Sequence, residues 1–409
     1  SALFPLVVAA EITPIVIGGS LGLLLLRRVG LFSALFPLVV AAEITPIVIG
    51  GSLGLTGKYE QLALMQKRGF ELWQHQINRQ GGMLGRPVEL ILKDDQSDKK
   101  QAIEIYRNLL DNKKVDLIFA PYSSGLTNAI MPVVESHNIP LIASGAAANM
   151  LWEQGYKNLF GLFLPASRYT VGFLEMIALS GITEITIVTA NDLFSQAIAD
   201  GARKWAEDFG LTVTFQRDFQ KGERDLLAVA TEIAAYTPKV LIVCGHYNES
   251  IDMLKALEKV GYQPPLYFAT IGPALEKFQH QLGEQAEGVF SSVQWSSQAL
   301  HRKEDGELFV QPFIAEYGVE PSYHAAQAYA AGQVLVAAIE ENQSLDLDAL
   351  RKKLSTFHTL NVIGRYGVDA TGRQVRHFAL NSQWQNGKLE IVWPAELATS
   401  QPQLNISQQ

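Results

Sequence analysis

The chain has a single cysteine, Cys244, in 409 residues. A lone thiol excludes an internal disulfide framework and any cysteine-built metal site. Charge is also scarce: Asp, Glu, Lys and Arg make up 18% of the chain, with a net balance of −8. No basic run interleaved with aromatics exists, so nucleic acid is not an expected partner. The eight histidines are scattered, without H-E-x-x-H or comparable spacing, and neither metal nor cofactor is expected. Asp94-Asp95 has no third ligand nearby and reads as capping and solvated polarity. No G-x-S-x-G elbow occurs. Gly51, Gly54 and Gly57 match neither the dinucleotide fingerprint nor the P-loop with its Lys-Ser/Thr. Nothing assembles a nucleophile and a base, so no catalysis is expected.

What is present is globular. Hydrophobic residues make up 48%, and a chain of this length is too long for one ordinary core, so two α/β lobes are expected. Residues 1–23 recur identically at 33–55. A structural repeat would diverge and continue its period; this one does neither, and the second copy is read as belonging to the fold. Arg27 and Arg28 precede an apolar stretch from Val29 to Val40, and Ala41-Ala42 offers a small-residue exit. That order describes a secretory signal, with a mature start near Glu43 and a periplasmic or extracellular destination. The stretch falls short of the ~20 apolar residues that span a bilayer, and Pro37 interrupts it.

From Glu43 onward, strand and helix signals alternate. Ile44 to Ile49 is a β-branched run, and Tyr59 to Gln80 carries apolar residues at helical spacing before Gly81-Gly82. Val88 to Leu92 alternates as a strand, and Asp98 is a good N-cap for a helix reaching Leu110. Strands at 115–120 and 139–143 flank a helix over 126–137. The rhythm restarts after Pro165, with strands at 185–189, 212–215, 240–243 and 266–269 separated by helices. Such alternation implies βαβ units and parallel sheets with helices on both faces. Beyond Ser296 the spacing predicts helices over 307–317, 323–339 and 347–354, then strands over 375–380 and 389–392. The expected fold is α/β, with two doubly wound parallel-sheet lobes.

In open parallel sheets, ligands sit beyond the carboxyl ends of the strands. That rule selects the loops at 50–59, 121–127, 144–149, 190–194, 245–249 and 270–273. Ser123-Ser124 and Ser144-Gly145-Ala146 each follow a strand, and a helix N-terminus beside them suits a carboxylate. Ordinary capping is the plainer reading of any one loop; the shared placement at strand ends is what favours a site. His246 and His324 lie near these loops, each read first as a packing residue. Cys244 sits in an apolar strand as a buried thiol.

The run GGSLGLTGKYEQLALMQKRGFELWQHQINRQGGMLGRPVELILKDDQSD resembles the opening of type I periplasmic binding proteins of the leucine/isoleucine/valine-binding branch, down to an N-x-x-G-G-x-x-G-x-x-x-E pattern. The segments PYSSGLTNAIMPVVESHNIPLIASGAAAN, TANDLFSQAIADGARKWAEDFG and EPSYHAAQAYAAGQVLVAAI extend the resemblance over 43–396. It implies a Venus-flytrap receptor of an ABC importer, with lobes joined by a three-segment hinge. Lobe 1 would be 43–163 plus 297–362 and lobe 2 would be 164–296 plus 363–396, after a 1–42 signal segment and before a 397–409 polar tail. The implied partners are a small-molecule carboxylate and a membrane permease, with the receptor a monomer. A ligand-sensing module of a signalling receptor, or an amide-sensing regulator, shares this fold and is the alternative.

The resemblance also implies roles. Ser123, Ser124 and the backbone at Ala146 would grip a carboxylate, while Ala148 stands where the family has a hydroxyl. Tyr59, Phe194, His246, Tyr247 and Tyr323 would line the pocket. The family's acidic partner for a ligand ammonium should lie in the loop at 270–273, where Thr270 stands and no acid occurs. Asp192 or Glu249 could substitute from neighbouring loops. An unpaired buried ammonium is costly, so the expected ligand is a small carboxylate: an amino acid or, in the reading these departures favour, an aromatic or aliphatic acid without an α-amine.

Overall fold

The computed structural model describes residues 44–300 and 302–404. The expected signal segment therefore lies outside the described residues. In the second copy of the duplicated segment, β1 (Ile47–Leu53) is an interior strand of the first sheet.

That sheet runs in the order β2 (Val88–Asp94), β1, β3 (Leu117–Phe119), β4 (Leu141–Ala143), β5 (Leu159–Gly161), all parallel. Helices α1 (Glu60–Arg79), α2 (Lys99–Asp111) and α3 (Ser124–Ser136) connect its strands. Asp98 caps α2, its carboxylate accepting from the Lys100 and Gln101 N–H groups at 2.8 and 3.0 Å, which is the reason the helix starts there.

The second block comprises α4 (Val171–Leu179), β6 (Glu184–Ala190), α5 (Leu193–Asp208), β7 (Thr212–Phe219), α6 (Leu227–Tyr236), β8 (Val240–Cys244), α7 (Tyr247–Lys259), β9 (Leu266–Ala269), α8 (Glu276–Leu282) and β10 (Phe290–Val293). The remainder holds α9 (Gln311–Tyr317), α10 (Tyr323–Asn342), α11 (Leu347–Thr356), a small hairpin of β11 (Thr359–Asn361) and β12 (Gly364–Tyr366), and the hairpin β13 (Leu380–Gln385) and β14 (Lys388–Trp393). The second sheet has the order β14-β13-β10-β9-β8-β6-β7, with β13 and β14 the antiparallel additions.

The C-terminal third thus serves both lobes. Helix α10 packs lengthwise on α1 of the first lobe, while the β13–β14 hairpin completes the second sheet. Glycines set the α1–α10 approach: a Cβ on Gly69 would stand 2.2 Å from the Ala325 carbonyl oxygen, and one on Gly332 would stand 2.1 Å from the Trp73 ring. The lobes are joined by three crossings, and their polar side chains are tied together. Gln294 Oε1 accepts from the Leu164 N–H at 2.6 Å, and Gln374 Nε2 donates to the Leu162 carbonyl at 3.5 Å.

Two expectations need correction. The strand expected over 375–380 begins at Leu380; Val375 and Phe378 are 41% and 40% exposed. Its actual residues Asn381, Ser382, Gln383 and Gln385 are buried but polar, so no apolar alternation marks it. The helix expected over 307–317 opens as a wide turn at Gly306–Val310 before α9. Pro312 has no N–H to give the Leu308 carbonyl, which instead accepts from Gln76 Nε2 at 2.8 Å. The polar tail is not loose where described: Gln383 Nε2 donates to the Gln403 carbonyl at 3.0 Å and Gln385 Nε2 to the Gln401 carbonyl at 2.9 Å.

Candidate ligand-binding cleft

The strand ends of the two lobes face one another, and ring contacts run between them. In lobe 1, β3 delivers Tyr122, Ser123 and Ser124 to the cleft in one step. Ser123 adopts φ 116°, ψ 155°, a backbone region that costs a non-glycine residue of order 1–3 kcal/mol and that clusters at binding sites. Its hydroxyl caps α3 by accepting from Leu126 N–H at 3.3 Å. The Ser124 hydroxyl accepts from both the Ala147 and Ala148 N–H groups at 3.0 Å, clamping the loop after β4 onto the start of α3. It keeps one proton to donate. Ala146 and Ala148 are fully buried beside it. The first-turn N–H groups of a 13-residue helix have no partners within the helix and carry its positive end.

Tyr59, 6% exposed, lies edge-on to Tyr122 at 5.4 Å between ring centroids. From lobe 2, His246 reaches across, its ring 5.3 Å from Tyr59 and 6.3 Å from Tyr122. Phe194 backs His246 at 4.9 Å and meets Tyr169 edge-on at 5.4 Å. On the hinge side, His324 stacks on Tyr323 at 4.0 Å and stands 5.6 Å from Tyr122 and 6.1 Å from Phe163. The result is an aromatic enclosure with a polar end at Ser123.

Lys221, in the loop after β7, completes the lobe 2 side. Its Nζ lies 3.3 Å from Asp192 Oδ2 and 3.5 Å from Glu249 Oε2, and 5.9 Å from the Tyr59 ring centroid across the cleft. Both acids are further committed. Asp192 caps α5, accepting from Phe194 and Ser195 N–H and from the Ser195 hydroxyl at 2.7 Å. Glu249 accepts from the His246 N–H at 3.1 Å and the Gly222 N–H at 3.2 Å. Burial opposes ionisation of Asp192, but contact with His246 and Lys221 holds its carboxyl well below the usual range. Burial likewise opposes ionisation of Glu249, and Lys221 reverses it. Burial, then the Lys221 charge, lowers the pKa of His246 despite Asp192 at 3.5 Å. With that imidazole neutral near pH 7, Lys221 is the cation that keeps Asp192 ionised.

Seven of the ten expected positions, Tyr59, Ser123, Ser124, Ala146, Phe194, His246 and Tyr323, gather around this cleft, and Ala148 lies in its loop. Two do not reach it. Tyr247 turns to α8, where its hydroxyl donates to Gln281 Oε1 at 3.1 Å. The Thr270 hydroxyl closes on Gly245, donating to its carbonyl at 2.6 Å and accepting from its N–H at 3.1 Å. Sequence reasoning missed Tyr122, Phe163, Tyr169 and Lys221. Tyr122 was legible as the residue before Ser123 at a strand end. Phe163 and Tyr169 belong to a hinge crossing and Lys221 to the loop after an outer strand, where no spacing signal points. Cys244 is buried in β8, its thiol pKa pushed up to about 12 by burial. Among the described residues, no group of three His, Cys, Asp or Glu is placed to hold a metal ion, and no helix is long and apolar enough to cross a membrane.

Two sheet lobes with an aromatic, charge-paired cleft and a hinge of three crossings define a two-lobed solute-binding protein. The sequence profile of the periplasmic binding protein family matches residues 46–388, and the chain belongs to that family. It is 24% identical over 371 residues to a Leu/Ile/Val-binding protein homologue of Brucella melitensis, covering 85% of this chain and 92% of the relative. The substrate-binding protein of a branched-chain amino acid transporter from Streptococcus pneumoniae, solved with isoleucine, superposes with a TM-score of 0.77 at 24% identity, covering 86% of this chain and all of that one. A solute-binding protein of an ABC transporter from R. palustris, solved with benzoate, gives 0.74 at 18% identity, covering 88% and 99%. Within that family it is similar to substrate-binding proteins of the leucine/isoleucine/valine-binding type.

Proposed function

We propose that this protein is the exported receptor of an ABC importer and that it captures a small carboxylic acid without an α-amine. The carrying observation is Lys221. An amino-acid ligand brings an ammonium that needs an anionic partner, and burying one unpaired is expensive. Here the two acids facing the cleft, Asp192 and Glu249, already hold the Lys221 ammonium at 3.3 and 3.5 Å, and Thr270 stands in the loop where an acid is needed. The carboxylate end is served by Ser123, Ser124 and the backbone at Ala146, at the positive end of α3. The rings of Tyr59, Tyr122, Phe194 and Tyr323 suit an aromatic body. The relative solved with benzoate favours this reading, while the one solved with isoleucine sits on the other side.

The ligand docks first on lobe 1, and contacts from His246 and Phe194 then favour the closed form, which is the form a permease receives. The working division is residues 43–163 plus 297–362 for lobe 1 and 164–296 plus 363–396 for lobe 2, with the β11–β12 hairpin astride the last boundary. A calorimetric panel of amino acids against aromatic and keto acids tests the ligand class. Binding among the acids supports it; tight leucine binding with no acid bound rejects it.

A further inference from the structure

Both ends of the cleft hold buried polar atoms without a hydrogen-bond partner, and they differ in what stands nearby. At the mouth, Lys221 Nζ and both His246 ring nitrogens lack a hydrogen bond, but Lys221 lies 3.3 and 3.5 Å from the carboxylates of Asp192 and Glu249 and His246 Nε2 lies 3.5 Å from Asp192. At the hinge end, Tyr323 and His324 open α10 with 2% and 0% exposure, yet neither the Tyr323 hydroxyl nor either ring nitrogen of His324 has a hydrogen-bond partner. Gln327, one turn further on, donates to Gln294 Oε1 at 3.4 Å while its own Oε1 has none. Buried polar side chains in a native fold are nearly always hydrogen-bonded, so a cluster of such exceptions needs a reason.

Their position supplies one. The Tyr323 ring stands 5.9 Å from Phe163 and the His324 ring 5.6 Å from Tyr122, so both side chains border the aromatic enclosure between the lobes. Burial pushes the His324 pKa down to about 3, so its imidazole presents one donor and one acceptor and no charge. A charged group would find no counter-ion at this end. A neutral hydroxyl, at once donor and acceptor, matches what Tyr323 and His324 present. The Tyr122 ring neighbours both ends, 5.4 Å from Tyr59 and 5.6 Å from His324.

We propose that Tyr323 and His324 form a second recognition point for a neutral hydroxyl remote from the ligand carboxylate, which makes the substrate class a hydroxylated aromatic carboxylate. This rests on the carboxylic-acid reading above. The test is calorimetry on the full protein with benzoate, 3-hydroxybenzoate, 4-hydroxybenzoate, 3,4-dihydroxybenzoate and leucine. At least one hydroxybenzoate should bind about 10-fold or more tighter than benzoate, the scale of a well-made buried hydrogen bond. Tyr323→Phe should erase most of that preference. If benzoate binds as tightly as every hydroxylated acid, the inference fails and the carboxylic-acid reading stands. If leucine binds and no aromatic acid does, both fall. The wild-type panel decides even if the variant does not fold.

Discussion

At the residue scale, Lys221 separates this cleft from one built for amino acids. It is a lobe 2 side chain with only 10% of its surface exposed, and it is the shared cation of two acids. Removing it leaves Asp192 and Glu249 buried against each other. Lys221→Ala should therefore lower unfolding stability by about 3 kcal/mol, the scale of breaking a buried pair from one side, read by denaturant unfolding. A loss under about 0.5 kcal/mol, the size of an exposed pair, would mean the cluster is open to water. His324 makes a second prediction. Its folded pKa near 3 lies below the ordinary 6.5, so the unfolded chain binds the proton more readily. Its contribution to stability is full above pH 6.5 and falls as pH drops through that window, by about 1.4 kcal/mol per unit. Asp95, buried and pushed up to about 6 from 3.8, acts in the opposite sense between those values. The decisive quantity is thus the difference between wild type and His324→Phe. The variant should lose less stability on going from pH 6.5 to 4.5, and equal losses would show that His324 does not titrate this way.

At the element scale, the contact between α1 and α10 is set by two glycines rather than by interlocking large side chains. Gly332→Ala drives a methyl into the Trp73 ring, and overpacking of this kind costs roughly 1–3 kcal/mol. Thermal unfolding should show it, and an unchanged midpoint would mean the helices can part freely. How much of this was legible varied by element. The helices at 60–79 and 99–111 were readable because amphipathic spacing and an Asp98 cap coincide. Strand β13 was not, because its buried residues are Asn, Ser and Gln, and polarity hides burial. β5 and β10 are three and four residues long, too short for a period. In the site, Ser123 and Phe194 were legible from their place at strand ends. Tyr247 misled because a helix's first residue can point sideways, and Thr270 because its hydroxyl had a backbone partner close by. Lys221 was hidden by chain distance: nothing in the sequence says that residue 221 returns to residues 192 and 249.

At the scale of the whole molecule, the sheets, the hinge and the cleft form one device. The three crossings are cross-linked by Gln294 and Gln374, so a bend at one is felt by the others. Gln294 also hydrogen-bonds Tyr169, which connects the hinge to the aromatic wall. Tyr59 and His246 meet across the cleft at 5.3 Å, so closure and ligand contact are made by the same residues. Closure on a carboxylate without an amine is the central claim. It is tested most directly by calorimetric titration with matched pairs that differ only in the α-amino group, 3-phenylpropanoate against phenylalanine and 4-methylpentanoate against leucine. The account predicts that the acid lacking the amine binds more tightly in at least one pair, because Lys221 already occupies the acids an ammonium would need. Tighter binding of the amino acid in both pairs would contradict it.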